Sequence, residues 1–282
     1  MTRLKPCDID TVSFQLEAYD RALVRKTGYN LRDIAGYASG VSSEEFRRLL
    51  GKVKMAVIPI TAGQGTIRGF TQVVANIVAH IGFDVFVTNG TDVSGLAEAV
   101  ECGAEVVFMA DDSRFVALNV KSGRMVDNAG ATAKGFVGGL DLMTGGLRGK
   151  RVLVIGCGPV GKSAVLAAIS RGAIVSVFDI DDRRSRSTVR EVGGLTGVSV
   201  GIERSSEDAL KDHSLLVEAT NAAGVIVETF IRPDTYIAAP GMPLGLTSAA
   251  VEKISDRLLQ DPLQLGVAVM AIEASLPSKE IL

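Results

Sequence analysis

The stretch that decides the fold is residues 151–165, "RVLVIGCGPVGKSAV". An apolar run leads into Gly156, Gly158 and Gly161, which stand in G-x-G-x-x-G spacing, and a helix-like apolar segment follows. A lone match to that spacing carries little weight. Here the glycines lie between a strand and a helix, and the next apolar run, "IVSVFDI", reaches Asp179 18 residues after Gly161. Each glycine has a physical reason. Gly156 permits a tight turn, Gly158 lets the backbone approach a pyrophosphate, and Gly161 lets the helix lie close to the strand. Cys157, Pro159 and Val160 fill the variable positions and complete the expected cofactor-binding turn. The helix start offers unpaired N–H groups and the positive end of its dipole to phosphate oxygens. Asp179 is placed to accept hydrogen bonds from an adenosine ribose, and its charge repels a 2′-phosphate. NAD is therefore the expected cofactor, although Arg183 and Arg184 follow closely and an arginine can accommodate that phosphate.

Outward from this turn the alternation of strand and helix continues. "RSTVREVGGLTG" reads as a helix, "SVGI" as a strand, "SEDALKD" as a short helix, and "SLLVEAT" and "TYIAAPG" as strands. "TSAAVEKISDRLL" reads as one helix, and the apolar "LGVAVMAIEASL" closes the chain as a candidate dimer-packing segment. Thr220 and Asn221, at the end of "VEAT", are expected beside the nicotinamide end of the crevice. Upstream, "KMAVIPIT", "DVFVTN" and "EVVFMA" read as strands separated by the helices "FTQVVANIVAHIG" and "DVSGLAEAVECG". Such alternation predicts a parallel sheet with helices on both faces. Residues 8–50 read as helical, with Gly28 as a stop signal and Ser42 or Ser43 as a cap. The expected class is thus α/β: two Rossmann-like, doubly wound domains with an N-terminal helical segment. Their expected extents are 1–127, for substrate, and 128–282, for NAD, each with its own core and joined through the Gly-rich segment near 128–150.

Composition narrows the possibilities. A hydrophobic content of 47% against 22% charged residues predicts a packed globular protein. The net charge of −2 supplies no basic face for nucleic acid, so no nucleic-acid partner is expected. No apolar run reaches the roughly 18 residues of a membrane span, so no membrane partner is expected. "MTRLKPCDID" lacks the apolar core of a signal peptide. Three dispersed cysteines and two histidines show no metal-ligand spacing, so no metal is expected. A cytoplasmic location fits these features.

In open α/β sheets, ligands bind beyond the carboxyl ends of the strands. Three such ends in the first half present Thr61–Gly65, Asn89–Ser94, and the pair Asp111–Asp112. The adjacent carboxylates are the unusual feature, because like charges repel and burial penalises each. One aspartate is expected to face the cleft; Asp112, followed by "SRFVALNV", is better placed to cap the next helix. Neither His80 nor His213 lies at a strand end, which argues against the histidine base of an ordinary hydroxy-acid dehydrogenase. The layout is shared with two-domain dehydrogenases of the shikimate or methylene-tetrahydrofolate type. Those require a lysine in the first domain, and Lys54 stands at the wrong end of its strand. A dinucleotide-sensing binding protein without turnover is a further alternative.

"LKPCDID", "ITAGQG", "IGFDVFVTNGTDVSGLAEAV", "MADDSRF", "VDNAGAT", "VEAT", "APGMP" and "DPLQLG" together resemble the PylD family of pyrrolysine-biosynthesis dehydrogenases. The order and spacing hold over nearly the whole chain. The resemblance implies NAD-dependent oxidation of the terminal amine of N6-[(3R)-3-methyl-D-ornithyl]-L-lysine, a small dipeptide-like substrate. Loss of ammonia and water with ring closure then gives pyrrolysine. It also implies that Asp111 contacts the substrate, that the N-terminal helix with Leu4 forms a lid, and that Thr61, Ala62, Phe70 and Asn128 line the substrate side. Ala62 and Gly69 stand where the family pattern has serine.

Overall fold

The computed structural model describes residues 4–277. The chain opens with four helices, α1 (Pro6–Ile9), α2 (Val12–Thr27), α3 (Leu31–Ala38) and α4 (Ser43–Leu49). Local chemistry sets their ends. Gly28, at φ 82°, closes α2; the Asn30 side chain accepts the Asp33 N–H to start α3; Ser42 and Glu45 cap each other reciprocally to start α4.

The first sheet holds β1 (Lys54–Val57), β2 (Asp84–Val87), β3 (Val106–Ala110), β4 (Phe115–Asn119) and β5 (Met125–Asp127), in the order β2-β1-β3-β4-β5. The connecting helices are α5 (Phe70–His80) and α6 (Asp92–Glu101). The first three strands are parallel, whereas β4 runs antiparallel to β3 and β5 antiparallel to β4. The helix expected after Asp112 is therefore a strand. Its burial alternates with period two, Phe115, Ala117 and Asn119 inward, which is a strand pattern rather than a helical one.

The second half begins with α7 (Asn128–Met143), which occupies most of the segment expected to be a Gly-rich connection. Its glycines permit close packing. A Cβ on Gly139 would sit 2.3 Å from Leu259, and one on Gly138 3.1 Å from Ala38. Six parallel strands follow: β6 (Arg151–Ile155), β7 (Ile174–Phe178), β8 (Gly201–Ile202), β9 (Leu215–Glu218), β10 (Tyr236–Ala239) and β11 (Leu258–Gln260). Their order is β11-β10-β9-β6-β7-β8, with α8 (Pro159–Ser170), α9 (Asp182–Thr196), α10 (Ser206–Asp212) and α11 (Ser248–Ile254) between them. The expected single helix over "TSAAVEKISDRLL" stops at Ile254, and Leu258 pairs with Ile237 in the sheet.

The last helix, α12 (Gln264–Ser275), is buried on all sides. It packs on α7, α3 and α5 and against β4 and β5, so the second half of the chain covers the sheet of the first. This corrects two expectations. The apolar terminal stretch is covered by its own chain and is not left over as a dimer face. The main apolar cluster is also continuous across both sheets, through Phe108, Phe136, Met270 and Val154, rather than divided into one core per unit. Among the described residues no helix is long and apolar enough to cross a membrane.

Candidate active site

The glycine turn connects β6 to α8. Gly156 has φ 92°, and a Cβ there would lie 2.7 Å from the Ala219 carbonyl oxygen, so only glycine fits between the two strand ends. A Cβ on Gly161 would lie 1.8 Å from the Gly156 carbonyl oxygen, which lets α8 approach the turn closely. Gly158 is different. Nothing lies within 4 Å of a Cβ built on it, so the turn presents bare backbone to open space at the start of α8. Pro159 occupies the first helical turn, where its missing N–H is not needed. Two packed glycines and one open one fit a pyrophosphate approaching Gly158 and the first N–H groups of α8.

Asp179 closes the other side of this turn. Its Oδ2 accepts the Cys157 N–H at 2.7 Å and its Oδ1 accepts the Asp181 N–H at 2.9 Å. A carboxylate has about four lone-pair sites, so two remain for ribose hydroxyls. Cys157 is buried, with its Sγ beside the Ser185 hydroxyl, and burial pushes its thiol pKa up, which makes it a packing residue and not a nucleophile. Arg183 is paired with Asp181. Thr220 is half-buried next to the glycine turn and Asn221 is exposed beyond it.

The strand ends of the first sheet form a second set of loops. Asp111 opens the tight β3–β4 turn, its N–H donating to the Arg114 carbonyl at 2.9 Å. Its Oδ1 accepts the N–H groups of Ser113 and Arg114, each at 2.7 Å. These bonds, chiefly that from Arg114, hold its pKa below the usual carboxylate range. Among the described residues no hydrogen bond reaches its Oδ2. Gly63, at φ 57°, abuts this turn; a Cβ there would lie 2.1 Å from the Asp112 nitrogen. The loop that holds Thr61 and Ala62 is thereby pressed against Asp111 and Asp112. Thr61 donates its hydroxyl to Asp92 Oδ2 at 2.6 Å and its N–H to Oδ1 at 3.0 Å.

Arg114 pairs with Asp127 at 3.2 Å, and Asp127 caps α7 by accepting the Ala129 N–H. This links the Asp111 turn to Asn128, whose Nδ2 lies 3.4 Å from Met270 Sδ on α12. Phe70 is buried edge-on against Phe115, with ring centroids 5.3 Å apart. Leu4 is half-buried against the main apolar cluster. A groove of about 310 Å³ separates Asp10 and Ser13 of the N-terminal helices from Arg68, Gly69 and Gln72 at the start of α5. Lys134 pairs with Glu273 and Lys54 reaches the Cys102 carbonyl. His80 pairs with Asp20, and His213 is buried with Nδ1 on the Ala209 carbonyl.

Comparison with known proteins decides the family. The chain is 31% identical over 274 residues to the pyrrolysine synthase of Methanosarcina barkeri, covering 96% of this chain and 97% of that protein. It belongs to the pyrrolysine synthase family. The pyrrolysine synthase of Methanosarcina acetivorans is 29% identical over 272 residues, covering 96% of this chain and 98% of its own. Residues 8–126 match the family described as "Pyrrolysine biosynthesis protein PylD, N-terminal domain", and residues 125–234 match "Alanine dehydrogenase/PNT, C-terminal domain". The fold is similar to quinate dehydrogenase from Corynebacterium glutamicum in complex with NAD, at a TM-score of 0.55 and 15% identity, covering 79% of this chain and 92% of that one. As a pyrrolysine synthase family member with a dehydrogenase-type domain, the protein is an oxidoreductase of pyrrolysine biosynthesis.

The contacts of Asp92 and Gly63, and the residue Glu218, are not legible in the sequence. Asp92 holds Thr61, and Gly63 sets the approach of two loops, but neither pattern is local in sequence. Glu218 is a carboxylate at the end of an apolar run, the same signal that singles out Asp111, and the structure buries it completely.

Proposed function

We propose that the protein is an NAD-dependent dehydrogenase that oxidises the terminal primary amine of N6-[(3R)-3-methyl-D-ornithyl]-L-lysine. The resulting imine takes up one water and releases ammonia to give the aldehyde, and attack of the substrate's own α-amine on that aldehyde gives the water back and closes the pyrroline ring of pyrrolysine. The observation that carries this reading is the whole-length likeness to two pyrrolysine synthases, in a chain whose Gly158 turn faces open space. The residues to hold the dinucleotide are Gly156–Gly161, Asp179, Thr220 and Asn221. Bound there, the nicotinamide supplies the two-electron acceptor for oxidation of the carbon–nitrogen bond.

The chain's own groups bind and order the substrate. A flexible, doubly charged dipeptide must be held in one pose before it reacts. Asp111 stays ionised because two backbone N–H groups stabilise its charge, and its Oδ2 takes the cationic amine. A carboxylate stabilised in this way is a weak base, so the part of Asp111 is to hold and orient the amine, which gives its proton to solvent before hydride leaves the neighbouring carbon. The segment from Leu4 through α1, packed against the main apolar cluster, closes over the dipeptide as a lid and keeps bulk water from the hydride-transfer step.

Incubation of the pure protein with the dipeptide and either NAD or NADP, followed by absorbance of the reduced cofactor, tests the reading. Reduction of NAD in preference to NADP, dependent on the dipeptide, is expected. Cofactor binding without reduction would instead favour a dinucleotide sensor.

A further inference from the structure

Glu218 is a carboxylate with no solvent exposure, at the carboxyl end of β9, the strand beside β6. Isolated burial of such a charge is strongly unfavourable, so its surroundings must compensate. They do so from two loops. Oε1 accepts the Thr220 N–H at 2.8 Å and the Thr220 hydroxyl at 2.5 Å, and Oε2 accepts the Gly245 N–H at 3.1 Å. The loop after β10 is built around the carboxylate. A Cβ on Gly245 would lie 2.3 Å from Glu218 Cδ, and one on Gly241 would lie 2.7 Å from Oε2.

The segment it holds is the one against which the glycine turn is packed. Gly156 could not carry a Cβ because the Ala219 carbonyl and the Thr220 nitrogen lie 2.7 Å and 3.0 Å away, and Gly161 meets the Ala219 side chain. A shift of Thr220 is therefore a shift in the wall of the dinucleotide site. The Thr220 hydroxyl gives its proton to Glu218 and its oxygen accepts the Ala222 N–H at 3.3 Å, so the carboxylate also braces the turn that carries Asn221.

We infer that Glu218 is a positioning residue for the cofactor, fixing Thr220 and the loop through Gly245 at the nicotinamide side of the site. This rests on the dehydrogenase reading given above. Glu218 has no solvent exposure, so its effect on affinity passes through Thr220.

Titration with NADH, read by its fluorescence, measures cofactor affinity without turnover. Glu218→Gln replaces one acceptor oxygen with an NH2 group and should weaken NADH by about tenfold, the equivalent of one hydrogen bond. Thr220→Val should do the same, and the double variant should be little worse than either single one, because both break one connection. A thermal melt checks folding in each case. Folded Glu218→Gln with unchanged NADH affinity, or losses that simply add in the double variant, would overturn the inference and leave the dehydrogenase reading standing. If Glu218→Gln does not fold, Thr220→Val alone decides, and unchanged affinity there overturns it. An unmodified protein that fails to bind NADH would overturn both.

Discussion

Asp111 and Asp179 work by the same device at opposite ends of the proposed site. Each uses carboxylate lone pairs to fix a backbone turn and has others left over for the ligand group proposed there. For Asp111 this makes asparagine a clean probe, because its Oδ1 can still accept from Ser113 and Arg114 while the charge is gone. Asp111→Asn should therefore melt near the parent temperature yet lose about 10²-fold in turnover, the scale seen when one charge-stabilising group is removed from an active site. Asp112→Asn should lose much less, since Asp112 is exposed and asparagine keeps its size and its hydrogen-bonding oxygen. Steady-state rates of both purified variants decide, and a larger loss at Asp112 would reverse the assignment. At Asp179, removal of the charge should shift cofactor choice. Asp179→Ser is expected to lower the NAD-to-NADP ratio of specificity constants by about tenfold or more. An unchanged ratio would mean that the residue holds the Cys157 turn and does not read the ribose.

The central helix α7 shows what glycine does inside an element. Gly139 and Gly130 lie in the same helix, yet a Cβ on Gly139 would strike Leu259 whereas one on Gly130 meets nothing within 4 Å. Gly139→Ala should cost about 1–3 kcal/mol through overpacking. Gly130→Ala should gain up to about 1 kcal/mol from helix propensity. Urea unfolding of the two variants checks this, and equal effects would contradict the packing argument. The same helix marks the limit of the sequence. Its glycines read as a connection because the neighbours that require them, Ala38, Leu259 and Leu265, come from distant parts of the chain. The glycine turn at 156–161 was legible because its strand, turn and helix are contiguous. So was Asp111 at a strand end. The β3–β4 turn was not, since an aspartate before "SRFVALNV" suits a helix cap as well as a turn, and only the period-two burial of Phe115, Ala117 and Asn119 separates them.

On the scale of the whole molecule, the N-terminal helices are tied to the last helix through the half-buried Tyr19 and the buried Asp261. The Tyr19 hydroxyl donates to Asp261 Oδ2 at 2.6 Å, and Asp261 Oδ1 accepts the Leu265 N–H at the start of α12. Burial raises the Asp261 carboxyl to about 6 against these bonds. The folded protein thus holds this proton more tightly than the unfolded chain does. The resulting stabilisation is full below the ordinary carboxylate range and is lost as pH rises through about 6. Unfolding free energies of the parent and of Asp261→Asn should therefore diverge between about pH 4 and pH 7, the parent losing more stability as pH rises. Parallel curves would show that the carboxyl is not shifted.

The same scale holds the central claim, because the Gly158 turn and the Asp111 turn belong to different sheets and the proposed reaction needs both. The direct measurement is the stoichiometry of a complete reaction with NAD and N6-[(3R)-3-methyl-D-ornithyl]-L-lysine, with NADH read by absorbance, ammonia by enzymatic assay and the product by mass spectrometry. The account predicts one NADH, one ammonia and one pyrrolysine for each dipeptide consumed. Dipeptide left intact by folded protein that binds NAD, or consumed without release of ammonia, would contradict it.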